Sequence, residues 1–139
     1  MSNVKHREIH AGDAGEHLVC SDILMEGYQA FQCGQGMAWD VGAEIGGSVV
    51  KFQVKSTNTV HTRKNRNPHF RFSTHKGQKR VAYNPCDYDI LALVDLKNKK
   101  IIYLTDVYDI TNLSIRCSDF NDSCNTLESA IYDLHEGKL

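Results

Sequence analysis

Apolar residues recur near the start of the chain at helical spacing, as Ala14, Leu18 and then Ile23, Leu24 and Met25, with Asp13 placed to cap a first turn and Gly27 to end the run. The spacing predicts a helix over 11–27. The short aromatic-rich run Tyr28 to Phe31, broken by Gly34 and Gly36, reads as a strand followed by a loop. From Met37 to Ile45 the residues alternate, Trp39, Val41 and Ala43 against Asp40, Gly42 and Glu44, which predicts a half-buried strand. Gly46-Gly47 marks a tight hairpin, and Ser48 to Thr57 alternates most regularly of all, with Val50, Phe52 and Val54 on a core face and Lys51, Gln53 and Lys55 on the other.

Residues 58–80 contain little apolar material beyond Val60, Phe70 and Phe72 and predict a long loop or a hairpin arm around His69 to Ser73. Ile90-Leu91-Ala92-Leu93-Val94 is continuous rather than alternating, as in a central strand covered on both faces. Lys97 to Lys100 reads as a turn and Ile101 to Leu104 as a neighbouring strand. Val107 to Ile110 reads as one helical turn, Ser114 to Phe120 fits no single pattern, and Leu127 to His135 reads as a last helix capped by Asn125 or Thr126. The expected class is α/β, a mixed central sheet flanked by helices, in one domain spanning residues 1–139.

Composition removes several classes of function. The longest aliphatic run is too short to cross a membrane, and the basic N-terminus has no apolar stretch behind it, so the expectation is a cytoplasmic protein. Five cysteines without a C-x-x-C pair suit reduced thiols better than a disulfide framework or a structural zinc site. The net charge of −1 conceals a segregation. Residues 1–44 carry Lys5 and Arg7 against seven acids, residues 45–86 carry nine basic side chains and no acid, and residues 87–139 carry five basic against ten acidic. A one-sign block in mid-chain is a candidate polyanion surface, because each cation set on a phosphate releases counterions. Arg63, Lys64, Arg66, Arg71, Lys76, Lys79 and Arg80 are the expected DNA-contacting cations, with base readout by Asn65, Asn67 or Arg71 left open. Tyr83 and Tyr88 read as packing residues at the end of the arm.

Glu16 on the first helix, Asp40 on the second strand, and Gln53 with Lys55 on the third are the polar residues suited to chemistry. Carboxylates are the ligands that a hard divalent ion needs, and hydrolysis of a phosphodiester needs such an ion to polarise phosphate and activate water. Strand parity can bring Asp40 together with Gln53 and Lys55, and a lysine there can orient water or offset developing charge.

Asp40, followed thirteen residues later by Gln53-Val54-Lys55 and preceded by a helix carrying Gly12-Asp13-Ala14-Gly15-Glu16-His17, resembles the PD-(D/E)XK nuclease superfamily. The similarity is greatest to the small group I intron-associated, homing-type endonucleases of bacteria and phages, which share a Gly-x-x-Gly-Glu helix, an Asp strand and a Q-x-K strand. Tyr88 to Val94 is similar to theirs too, and the resemblance spans roughly 11–105. Trp39 stands where that family often has proline, and Gln53 stands where it usually has a carboxylate.

The resemblance implies a restriction-endonuclease-like core and a catalytic set of Glu16, Asp40, Gln53 and Lys55. It also implies a magnesium ion, replaceable by manganese, held by Asp40, Glu16, Gln53 and the backbone carbonyl of Val54. The implied activity is metal-dependent cleavage of double-stranded DNA by a homodimer or homotetramer in a bacterial or phage-infected cell, with residues 61–80 as the DNA-contacting arm. A Holliday-junction resolvase and a non-catalytic DNA-binding module of the same fold are the alternatives.

Overall fold

The computed structural model describes residues 4–33, 37–76, 81–121 and 124–136, with residues 4–9 and Lys76 described by backbone alone. The first helix, α1, runs Val4–Met25, longer at its start than the apolar spacing predicts. Asp13 is therefore inside the helix rather than at its cap. The expected stop holds, since Gly27 takes φ +97°, a left-handed conformation suited to glycine. Val19 and Ile23 are fully buried under the sheet. At about 1.5–3 kcal/mol for each buried side chain, they outweigh the roughly 0.5–1 kcal/mol that each of Gly12 and Gly15 costs inside a helix.

Strands β1 (Gln29–Gln32), β2 (Val41–Ile45) and β3 (Ser48–Thr57) form an antiparallel meander. The turn between β2 and β3 is the expected hairpin, with φ +63° at Gly46 and +83° at Gly47. After β3 the chain leaves the sheet through β4 (His69–Ser73), β5 (His75–Lys76) and β6 (Val81–Ala82), and returns as β7 (Ile90–Asp95), parallel to β3. Strand β8 (Lys100–Leu104) closes a five-stranded mixed sheet of order β1-β2-β3-β7-β8. All six residues of β7 are buried, as the unbroken aliphatic run requires.

One face of the sheet packs Val41, Ala43, Phe52, Val54, Ile90 and Ala92 against α1 and the final helix α2 (Leu127–Glu136). Thr126 caps α2, its Oγ1 accepting from Ser129 N at 3.1 Å. The opposite face packs Leu91, Leu93 and Ile102 against Phe70, Phe72, Tyr83, Tyr88 and Phe120.

Three expectations need correction. The alternating segment 37–45 becomes a strand only at Val41, and Trp39 packs with the second core layer instead of sharing a side with Val41 and Ala43. Gly42 explains this: a Cβ there would lie 2.5 Å from Phe31 Cζ and 2.9 Å from Trp39 Cζ3, so its bare backbone is the floor for both rings. The arm around His69 to Ser73 meets its own chain at His61, whose N donates to His69 O at 2.8 Å, but the strand paired along β4 is β9 (Asn112–Arg116), which begins two residues before the stretch that fitted no pattern. Val107 to Ile110 is irregular rather than helical, and Cys117–Asn121 is a 3-10 turn that buries Phe120.

Candidate active site

Strand β2 pairs with β3 only as far as Val41 opposite Phe52, so the remainder of β3 has no strand neighbour on that side. The chain entering β2 fills the gap. Asp40 N donates to Phe52 O at 2.8 Å, and Cys33 N donates to Asp40 O at 2.8 Å, clamping the Asp40 backbone between the end of β1 and β3. Its carboxylate then acts as the missing strand: Oδ2 accepts from Val54 N at 2.9 Å and from Gln53 Nε2 at 2.7 Å. Oδ1 has no hydrogen-bond donor among the described residues. Since N–H and C=O of one residue in an extended strand point the same way, the Val54 carbonyl is also directed to the Asp40 side.

Gln53 is buried, 5% exposed, on the face of β3 opposite Phe52 and Val54. Because its amide nitrogen is engaged by Asp40, its amide oxygen is left for another donor or a cation. Lys55, two residues on, shares that face. Its Nζ donates to His75 O at 3.3 Å and stands 5.3 Å from the centroid of the Tyr83 ring. Burial pulls the Lys55 ammonium below its ordinary pKa, with the Asp40 charge opposing the shift. Burial raises Asp40, against the Val54 hydrogen bond and the Lys55 charge.

Glu16 reaches this place from α1 because of Gly15. A Cβ on Gly15 would meet Ser56 Oγ at 1.7 Å and Ser56 Cβ at 2.9 Å, so the helix lies directly on β3. The next side chain is thereby set beside Asp40. Desolvation first, then the charges of Asp40 and Asp13, push the Glu16 carboxyl up to about 7. Cys20 and Cys33 lie within the field of the same carboxylates and are pushed up mainly by burial.

The four residues singled out in the sequence are thus brought to one margin of β3, with four oxygen-bearing groups there: the Asp40 and Glu16 carboxylates, the Gln53 amide and the Val54 carbonyl. These suit a hard cation. Among the described residues no three His, Cys, Asp or Glu side chains gather as a metal cage. Tyr83 under Lys55 and the His75 carbonyl belong to the site and were not foreseen in this role. No local pattern distinguishes Tyr83 from Tyr88, which caps the core with its hydroxyl donated to Val107 O at 2.6 Å.

The expected cations divide. Arg63, Lys64 and Arg66 are exposed between β3 and β4 and make no ion pair with an acid among the described residues. Arg71 is exposed on β4, Lys76 is in β5, and Lys79 and Arg80 lie outside the described residues. No helix among the described residues is long and apolar enough to cross a membrane.

No protein-family model and no curated protein matches the sequence. Among solved structures, I-Ssp6803I superposes with a TM-score of 0.66 over 99% of this chain and 96% of its own, at 15% identity. The fold is similar to that of a bacterial homing endonuclease. At that identity the likeness is one of fold alone, a mixed sheet flanked by helices.

Proposed function

We propose that the protein is a magnesium-dependent endonuclease of the PD-(D/E)XK type that hydrolyses phosphodiester bonds at a specific site in double-stranded DNA, in the manner of homing enzymes. The observation that carries this reading is the convergence of Glu16, Asp40, Gln53 and Lys55, from α1, the entry to β2, and β3, at the open margin of β3. The fold likeness to a homing endonuclease and the acid-free basic stretch 45–86 support DNA as the substrate.

The oxygen donors fit magnesium, which is usually held by one or two carboxylates and otherwise by water and substrate oxygens, and manganese fits the same set. Asp40, Glu16, Gln53 and the Val54 carbonyl would hold it, and the ion would polarise the scissile phosphate and acidify water. The chain's own contribution is positional. Val54 N–H and the Gln53 amide fix the Asp40 carboxylate through Oδ2, so that Oδ1 is left for a cation without reorganising. The half-desolvated Lys55 ammonium donates to a phosphate oxygen or holds the attacking water, and Tyr83 with the His75 carbonyl keeps it there. One such site per chain cuts one strand, so double-strand cleavage calls for a symmetric dimer or tetramer.

The test is cleavage of a mixed pool of linear duplex and four-way-junction DNA by wild type and Asp40→Asn, with and without magnesium. Magnesium-dependent discrete products from linear duplex with wild type alone are expected. Products from junctions regardless of sequence would replace the homing reading by a resolvase, and binding without any cleavage would replace it by a non-catalytic DNA-binding module.

A further inference from the structure

The ribbon formed by β4 and β9 has two faces of opposite character. Phe70, Phe72, Leu113 and Ile115 turn inward to the second core layer. Outward, three cross-strand pairs lie in register: His69 with Arg116, Arg71 with Ser114, and Ser73 with Asn112. All six are polar and none is acidic, although residues 87–139 as a whole carry twice as many acids as bases. Strand β9 thus contributes only neutral and basic groups to this face. A shallow cavity of about 270 Å³ on it is lined by Arg66, Asn67, His69, Ser114 and Arg116.

The ribbon is tied at both ends. Cys117 N donates to Pro68 O at 2.9 Å, and at the other end Thr74 N donates to Thr111 O at 2.9 Å while Thr74 Oγ1 donates to Ile110 O at 2.9 Å. Arg116 is steered along the surface by Asp119, 3.2 Å away, which partly offsets its charge, whereas Arg71 has no partner among the described residues. The end nearest Ser73 leads within two residues to His75, whose carbonyl holds Lys55.

We infer that the outer face of the β4–β9 ribbon reads base edges in the major groove of duplex DNA, with Arg71, Asn112, Ser114 and Arg116 as specificity-determining residues. This rests on the reading of the protein as a DNA endonuclease. A two-stranded antiparallel ribbon fits the major groove, where arginine pairs with guanine, asparagine with adenine, and serine with either. The position of readout follows from the chain. Arg71 is four residues from His75, about 13 Å at roughly 3.3 Å per residue, and Arg116 lies opposite His69 about two residues farther. At about 3.4 Å per base step, Arg71 reads roughly four base pairs from the cut phosphate and Arg116 roughly six. The exposed cations Arg63 and Lys64, outside the ribbon, contact phosphate and carry no sequence information.

The experiment presents a pool of linear duplexes, randomised across the site, to wild type, Arg71→Ala, Arg71→Lys, Arg116→Ala and Lys64→Ala. Bound sequences are read in EDTA and cleaved sequences in magnesium, with circular dichroism as the folding control. Wild type is expected to enrich a defined sequence. Arg71→Ala should lose about ten-fold or more of the preference at one or two base pairs near the fourth from the cut, Arg71→Lys should retain affinity but not that preference, and Arg116→Ala should relax a separate, more distant position. Lys64→Ala should weaken binding of all sequences alike. Preference profiles in folded Arg71→Ala and Arg116→Ala that match wild type overturn the inference, as does magnesium-dependent cleavage by wild type with no preference over this stretch, while the endonuclease reading stands. A preference that the ribbon variants relax, without cleavage in magnesium, overturns the endonuclease reading and leaves the ribbon. Failure to bind any duplex overturns both.

Discussion

Glu16 is held between water and the core, and the pH response of the metal-free protein follows from that position. Its carboxyl titrates near 7 in the folded chain against an ordinary value of 4.5. Between those values the folded chain holds a proton that the unfolded chain has released, so stability falls as pH rises through this window and the full penalty is present above it. After allowance for screening at a partly exposed group, the penalty is on the order of 1 kcal/mol. Glu16→Gln should therefore raise the melting temperature of the metal-free protein by a few degrees at pH 8 and leave it unchanged at pH 4, as thermal melts across pH will read. Its neighbour in the site behaves differently. Asp40→Ala strands the Val54 N–H and the Gln53 amide, at about 1–3 kcal/mol, whereas Asp40→Asn keeps an acceptor for Val54 and should melt within about 1 kcal/mol of wild type. Both should be inactive in the cleavage assay. Lys55→Met, which keeps the length of the side chain and removes its charge, should fold and lose cleavage by about a hundred-fold or more.

At the scale of elements, the seating of α1 on β3 is controlled by one absent side chain. Gly15→Ala must push the helix off Ser56, at about 1–3 kcal/mol of strain, and carry Glu16 away from Asp40. Ser56→Gly in the same chain removes the two atoms that clash with the new Cβ and leaves only Val54 Cγ1 at an ordinary 3.6 Å, so a double-mutant cycle should show coupling of more than about 1 kcal/mol. Ser56 Oγ is also a fully buried oxygen without a hydrogen-bond partner among the described residues, so Ser56→Ala alone should be neutral or stabilising in denaturant melts. Elements of this kind were legible in the sequence where the signal was local. The alternation of Ser48–Thr57, the Gly46-Gly47 turn, the aliphatic run at Ile90 and the cap before Leu127 each occupy a few adjacent residues, and each appears with nearly the expected bounds. That Asp40, Gln53 and Lys55 come together was legible for the same reason, β3 and the entry to β2 being joined by one tight hairpin, whereas the approach of Glu16 depends on how α1 seats on β3. What the sequence concealed was long-range. Leu113 and Ile115 are too brief an alternation to announce a strand, and nothing near them names Phe70 and Phe72 as partners. Trp39 left its expected side because Gly42 offered its ring a seat, a fact of packing rather than of period.

Over the whole molecule, the uneven distribution of charge sets the salt response expected of the proposed endonuclease. With the cations concentrated in the excursion between β3 and β7, DNA affinity should fall steeply with salt, each phosphate contact adding about 0.9 to the slope of log K against log salt. Lys64→Ala should lower that slope by about one at every sequence, measured by titration of a duplex across salt concentrations. The same excursion has a consequence for the nascent chain. The hairpin of β2 and β3 can close as soon as it leaves the ribosome, but β3 stays a bare edge, with Val50, Phe52 and Val54 uncovered by a complete sheet, until β7 emerges, the bonded pair Lys51 and Asp89 being 38 residues apart. At roughly 5–20 residues per second this interval lasts about two to eight seconds. During it the strand that carries Gln53 and Lys55 is open to pairing with another nascent chain, so messages stalled within the excursion should yield aggregated fragments, and slow translation there should lower the yield of folded protein.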